Sequence, residues 1–217
     1  MKAILFDFDG TLADTMPALT EAVNAALAEL GYPVHHSVKA FINHGARELI
    51  RRAMPEEERT EEKIDRAFAL YEVCYRKIYL HTDRLYPGMR ELIRKVRPQA
   101  RMGILSNKPA EMTEGLARLL FPAGEMAAVV GYENGKPGKP DPYLAKKAAA
   151  ELGAALSDCL LVGDSEVDVQ TAKNAGMAFV GAGWGFYGEE FLRAAGADRV
   201  ANTPADLWPE IEKFIKN

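Results

Sequence analysis

A doubly wound α/β fold, with one parallel sheet and an inserted helical domain, is what this sequence predicts, and two observations carry the expectation. The first is a series of short, continuous apolar runs: KAILF (2–6), RMGIL (101–105), AAVVG (127–131), CLLVG (159–163), AFVGA (178–182) and a shorter RVA (199–201). Runs of this length, without polar alternation and separated by helical segments, mark parallel strands buried on both faces. The second is a single break in their spacing. The interval from residue 6 to residue 101 is too long for one crossover, and its pattern is helical.

Within that interval Leu19, Val23, Ala26, Leu27 and Leu30 fall on one helical stripe, which Gly31 ends. Ile64, Phe68, Tyr71, Tyr75 and Ile78 form another. Both stripes read as packing surface. Between them MPEEERTEEK (54–63) reads as a solvated loop and helix start rather than an acidic binding patch. Pro87-Gly88 marks the return to the sheet, so the predicted division is a Rossmann-like core of residues 1–14 and 86–217 and a helical domain of residues 15–85.

The chain has 217 residues, 48% of them hydrophobic, enough for one core with an insert. Its 18 glycines and 12 prolines are scattered, with no repeat or low-complexity tract. A formal charge of −4 gives no reason to expect nucleic acid or an anionic membrane as partner. Cys74 and Cys159 lie in apolar stretches far apart, which suits reduced, packed thiols. Asp7 and Asp9 interrupt the first apolar run too early for a signal peptide, and no stretch has membrane-spanning length, so the expectation is a soluble cytoplasmic protein. The oligomeric state is left open.

In open α/β sheets ligands bind beyond the carboxyl ends of the strands, where strand order reverses. The residues to read are therefore those that follow each apolar run: Asp7-Phe8-Asp9-Gly10-Thr11, Ser106-Asn107-Lys108, and Gly163-Asp164-Ser165 with Asp168 beyond. Side chains alternate in extended backbone, so Asp7 and Asp9 can share a site. Asp164 and Asp168 are four apart in what reads as the first turn of a helix, where like charges also meet. Four converging carboxylates are costly to ionise without compensation. A hard divalent cation removes most of that cost, and Mg²⁺ in particular takes one or two carboxylates and keeps other positions for water and phosphate.

A carboxylate beside Mg²⁺ can also act as a nucleophile toward phosphorus, forming an acyl phosphate. Such a reaction needs a proton donor for the leaving oxygen and a base for the attacking water, and Asp9 could serve as both. Ser106, Asn107 and the Thr11 hydroxyl are candidates to hold phosphoryl oxygens; Thr11 and Asn107 could equally satisfy loop backbone. A lysine should complete the charge balance. In GKPGKPDPYLAKKAAAELG (135–153), Asp141 can cap a helix that starts at Pro142 and stops at Gly153, which puts Lys139 nearer the helix's positive end than Lys136.

These residues resemble the haloacid-dehalogenase-like hydrolases, which are usually Mg²⁺-dependent phosphatases. DFDGT (7–11), LSNK (105–108), Lys139 in KPDP and GDSEVD (163–168) match that family's motifs in order, and the likeness covers essentially the whole chain. The resemblance implies Asp7 as nucleophile and Asp9 as general acid/base that also lends its backbone carbonyl to Mg²⁺. It implies Ser106 against the phosphoryl oxygens with Asn107 beside it, Lys139 neutralising nucleophile and phosphate, Asp164 as metal ligand and Asp168 in the outer shell or bound through water. The helical insertion corresponds to the family's cap of the first type. The metal-free dehalogenases of the family replace the second acid, so Asp9 favours a phosphate substrate over a haloacid.

Residues 9–33, 41–54 and 163–177 further resemble the phosphoglycolate phosphatase subgroup. That likeness implies Arg47, with Asn43, His44 and Gly45, on the cap loop facing the core, where a guanidinium could pair with a substrate carboxylate through two hydrogen bonds. Arg47 also starts an apolar-periodic helix with Leu49, Ile50 and Ala53, which suits a solvated first-turn residue equally well. The reading is a phosphatase acting on a small phosphorylated metabolite, 2-phosphoglycolate first. The alternatives are a sugar phosphomutase of the same family and a non-catalytic interaction module on this scaffold.

Overall fold

The computed structural model describes residues 1–42, 45–81 and 84–217. Six parallel strands form one sheet: β1 (Ala3–Phe6), β2 (Arg101–Pro109), β3 (Ala128–Tyr132), β4 (Cys159–Gly163), β5 (Ala178–Ala182) and β6 (Val200–Ala201). Each coincides with an apolar run because nearly every position is covered on both faces; β1 and β4 are buried throughout. The largest difference in a strand boundary is in β2. The run ending at Leu105 continues as strand to Pro109, with an irregular register between Leu105 and Pro109, because Pro109 still pairs with Tyr132 of β3. Ser106, Asn107 and Lys108 therefore ride on the strand's tail.

The chain divides into two compact units, one of residues Met1–Asp14 and Arg84–Asn217, the other of Thr15–Asp83. In the second unit are α1 (Met16–Glu29), α2 (Ala46–Ala53) and α3 (Glu61–Ile78). α1 buries Leu19, Val23, Ala26 and Leu27 and closes on Gly31 at positive φ; α3 buries Ile64, Ala67, Tyr71 and Tyr75. The Thr60 hydroxyl caps α3 by accepting the Lys63 N–H at 3.4 Å. Residues 56–58 before it form a single 3₁₀ turn. Asn43 and His44, named above with the loop before α2, lie outside the described residues.

The first unit adds α4 (Met89–Val96), α5 (Ala110–Leu120), α6 (Tyr143–Glu151), α7 (Glu166–Ala175), α8 (Gly188–Ala194) and α9 (Pro204–Lys216), with helices on both sides of the sheet. Leu5, Leu105 and Leu161 from the strands pack with Leu144 and Ala148 of α6 and Ala172 of α7 in one buried cluster. At ~25 cal/mol per Å² of apolar surface, this burial is the main force holding the layers together. α6 begins one residue later than expected, at Tyr143, and the Asp141 carboxylate accepts the Tyr143 N–H at 2.8 Å.

Candidate active site

The strand order is β3-β2-β1-β4-β5-β6, so β1 lies between β2 and β4, at the point where successive connections change direction. Phe6 is level with Ile104 of β2 and with Val162 of β4. The chain leaving β1 stays in the ladder for one residue more, the Asp7 N–H donating to the Val162 carbonyl at 2.8 Å. Register alone thus brings Asp7, Ser106 and Asp164 to neighbouring strand ends.

Carboxylate oxygens of Asp7, Asp164 and Asp168 all lie within 4.8 Å of one another, and all three residues are buried. Asp164 lies one residue before the Ser165 N-cap of α7 rather than sharing the helix's first turn with Asp168. Asp168 closes a capping box: its Oδ2 accepts the Ser165 hydroxyl at 2.5 Å and the Ser165 N–H at 3.2 Å. Its Oδ1 accepts from Lys139 Nζ at 2.6 Å, and the same ammonium lies 2.9 Å from Asp7 Oδ1. Lys139 is buried whereas Lys136 is exposed.

Two glycines make this convergence possible. Gly10 takes φ +80°, and a methyl group there would sit 2.8 Å from Asp164 Cγ. One at Gly163 would lie 2.6 Å from Asp168 Oδ2.

Three buried carboxylates against one ammonium leave surplus negative charge. Burial, then the Asp168 charge, push the Asp7 carboxyl up to about 7 despite Lys139. Burial, then Asp7 and Asp168, hold Asp164 well above the usual carboxylate range, although the Phe186 N–H bonded to it opposes the shift. Burial alone would drive Lys139 toward its neutral form, but Asp168 and Asp7 more than reverse that. Hard oxygen donors with an uncompensated buried charge fit a divalent cation.

The remaining predicted residues fall around this cluster or apart from it. The Asp9 side chain, 24% exposed, has Oδ1 at 3.2 Å from Lys108 Nζ. Ser106 is buried, and its Oγ accepts the Lys108 N–H at 3.3 Å. The Asn107 carboxamide brackets the Lys139 backbone, accepting its N–H at 2.7 Å and donating to its carbonyl at 2.9 Å. Thr11 is fully buried, and its Oγ1 has no hydrogen-bond partner among the described residues. Arg47 belongs to the unit of Thr15–Asp83, where its guanidinium donates to Asp65 at 2.7 Å and to Glu61 at 2.7 Å.

Three residues at the site carried no role in the sequence reading. Lys108 is a buried cation within the quoted LSNK, and its signal was a charge three residues beyond an apolar run. Phe186 acts through a backbone N–H, which residue type does not announce, and the Trp184 indole N–H acts on a carbonyl 173 positions away, a pairing the sequence does not mark.

Three comparisons bear on the fold and site. The family model described as haloacid dehalogenase-like hydrolase matches residues 1–176. The chain is 35% identical over 193 residues to the phosphoglycolate phosphatase of Pseudomonas syringae pv. syringae, an alignment covering 85% of this chain and 70% of that one. It is 29% identical over 214 residues to the phosphoglycolate phosphatase of Chromobacterium violaceum, covering 96% and 95%. Among solved structures it resembles a Lactobacillus delbrueckii subsp. bulgaricus protein provisionally called a phosphoglycolate phosphatase, at a TM-score of 0.88 and 29% identity over 97% of this chain and 99% of that one. It also resembles CbbY of Rhodobacter sphaeroides in complex with phosphate, at a TM-score of 0.75 and 26% identity over 95% and 96%.

Proposed function

The chain belongs to the haloacid dehalogenase-like hydrolase family and is a phosphoric monoester hydrolase, and on that premise we propose that it is a Mg²⁺-dependent phosphatase whose first substrate is 2-phosphoglycolate. The observation that carries the reading is the packing of Asp7, Asp164 and Asp168 within 4.8 Å of one another around one buried lysine.

In this reading Asp7 attacks phosphorus and carries the phosphoryl group as an acyl phosphate. The bonds from Phe8 N–H and Lys139 both fall on its Oδ1, at 2.7 and 2.9 Å, which leaves Oδ2 outside them for attack. Asp9 gives its proton to the departing alkoxide and then takes one from the water that cleaves the acyl phosphate. Lys139 offsets charge on the nucleophile and the phosphoryl oxygens, with Asn107 holding its backbone, and Ser106 and the Thr11 hydroxyl donate to phosphoryl oxygens. Asp7, the Asp9 carbonyl and Asp164 would hold Mg²⁺, with Asp168 in support through Lys139 and Ser165. When bound, the ion neutralises the surplus acid and polarises the phosphoryl group.

Residues 15–83 are assigned the cap role, with Arg47 taking the substrate carboxylate; to do so it must release Glu61 or Asp65. The many relatives named phosphoglycolate phosphatase favour this ester over sugar phosphates. Two unpaired cysteines suit a reducing, cytoplasmic setting, and no described helix is long and apolar enough to cross a membrane.

The test is phosphate release over a panel of phosphoglycolate, sugar phosphates and nucleotides, with Mg²⁺ and with chelator. Phosphoglycolate should give the highest kcat/KM, and only with the metal. Phosphoryl return to a sugar phosphate under a bisphosphate activator would make the protein a mutase instead, and inertness toward the whole panel would make it a binding module.

A further inference from the structure

The loop that follows β5 touches both halves of the acidic site without contributing a charged group. The Trp184 indole Nε1–H donates to the Thr11 carbonyl at 3.0 Å, 173 positions away in sequence. Two residues later the Phe186 backbone N–H donates to Asp164 Oδ2 at 2.7 Å. Between them Gly185 presses so close that a methyl group there would lie 2.6 Å from Asp164 Oδ2 and would also collide with the Gly10 carbonyl.

The bond to Thr11 lands on a turn closed largely by its own hydrogen bonds and tied also to Tyr86, whose N–H donates to the Leu12 carbonyl at 3.1 Å. The N–H groups of Thr11, Leu12 and Ala13 all point to the Phe8 carbonyl, and Gly10 N–H bonds the Ala13 carbonyl at 3.0 Å. Asp9 sits inside that turn. Trp184 therefore ties the turn bearing Asp9 to the same tripeptide that orients the Asp164 carboxylate.

We propose that Trp184 to Phe186 is a brace that sets the separation between the Asp9 turn and Asp164, and that Trp184 is a positioning residue for divalent-cation binding. This rests on the assignment of a metal to the acidic cluster. A phenylalanine would fill the same half-buried place but donate nothing to Thr11. Outer-shell partners of metal ligands typically change affinity ~10–100-fold when removed, and one neutral hydrogen bond acting through a turn belongs at the low end of that range.

The experiment is calorimetric titration of chelator-stripped protein with MgCl2, comparing wild type and Trp184→Phe, alongside kcat for p-nitrophenyl phosphate at saturating Mg²⁺. The brace predicts a dissociation constant about 10-fold weaker in the variant, with kcat at saturation within about twofold. Equal dissociation constants would overturn it, even if the variant melts earlier, since packing alone then accounts for the tryptophan. A second measurement does not depend on that variant. The chain has two tryptophans, so Trp208→Phe leaves Trp184 as the only reporter. Its emission should change on adding MgCl2 and saturate at the calorimetric midpoint, and flat emission in a protein that binds the ion would overturn the brace. A wild-type protein that neither binds Mg²⁺ nor releases phosphate overturns the proposed function and the brace together, whereas one that does both with an unaffected Trp184→Phe variant overturns the brace alone.

Discussion

Two acidic clusters, one in each unit of this chain, are handled in opposite ways. In the unit of residues 15–83, Glu48 meets Arg51 and Arg52, and Glu61 and Asp65 meet Arg47, all within reach of solvent. Hydrogen bonds from Arg51, then Arg52, hold the Glu48 carboxyl down to about 2. In the unit of residues 1–14 and 84–217, three acids share one buried ammonium and Asp7 is pushed up to about 7. A carboxylate with its own partner in water contributes to a helix surface. A carboxylate kept in excess inside the protein is held at a cost to stability, and such groups are where chemistry concentrates.

The strongest way to break this contrast is Asp7→Asn. The variant should fold and lose phosphate release by ~10⁴-fold or more, as removal of a covalent nucleophile does; activity at the wild-type level would refute the nucleophile assignment. Gly10→Ala should come next. Its methyl group would crowd Asp164 at a positive φ, so Mg²⁺ affinity should fall ~10-fold or more while the second unit's helices are untouched. Isothermal titration and circular dichroism check the two halves of that statement.

The pH dependence sharpens the comparison further. A carboxyl whose folded-state pKa lies above its unfolded value binds protons more tightly in the native state, so stability falls as pH rises between the two values. For Asp7 that window runs from 3.8 to about 7. At ~1.4 kcal/mol per pKa unit, the chelator-treated protein should lose on the order of 4 kcal/mol across it. Saturating Mg²⁺ or Asp7→Asn should flatten the slope, as read from denaturant melts at each pH.

The smallest effects belong to the exposed pairs. Arg47→Ala should shift Tm by less than about 2 °C yet raise KM for phosphoglycolate roughly 10-fold and leave p-nitrophenyl phosphate unchanged. An equal change for both substrates would remove Arg47 from carboxylate recognition.

Much of this arrangement is written in residue order. The six strands are legible because burial on both faces demands unbroken apolar runs, and Asp7, Asp164 and Lys139 are legible because a charge directly after such a run, or before a helix, has few other uses. The tail of β2 is not legible, since Ser106-Asn107-Lys108 lacks apolar character and is extended only by pairing at Pro109 with β3. Asn107 reads as a phosphate ligand or a backbone clamp with equal ease until Lys139 is seen between its two hydrogen bonds. The Trp184 loop is silent for a different reason: the Phe186 bond uses a backbone N–H that almost every residue carries, and the Trp184 indole reaches a carbonyl 173 positions away.

The place of β1 has a consequence for synthesis. The first strand to leave the ribosome is flanked by strands that begin at Arg101 and Cys159, so the segment bearing Asp7 waits for most of the polypeptide before its neighbours exist. A nascent chain that stops short of Asp164 holds Asp7 without the two acids that share its cluster. On the proposed reading a chain that ends before Asp164 should therefore release no phosphate, because the acid cluster around Asp7 is incomplete.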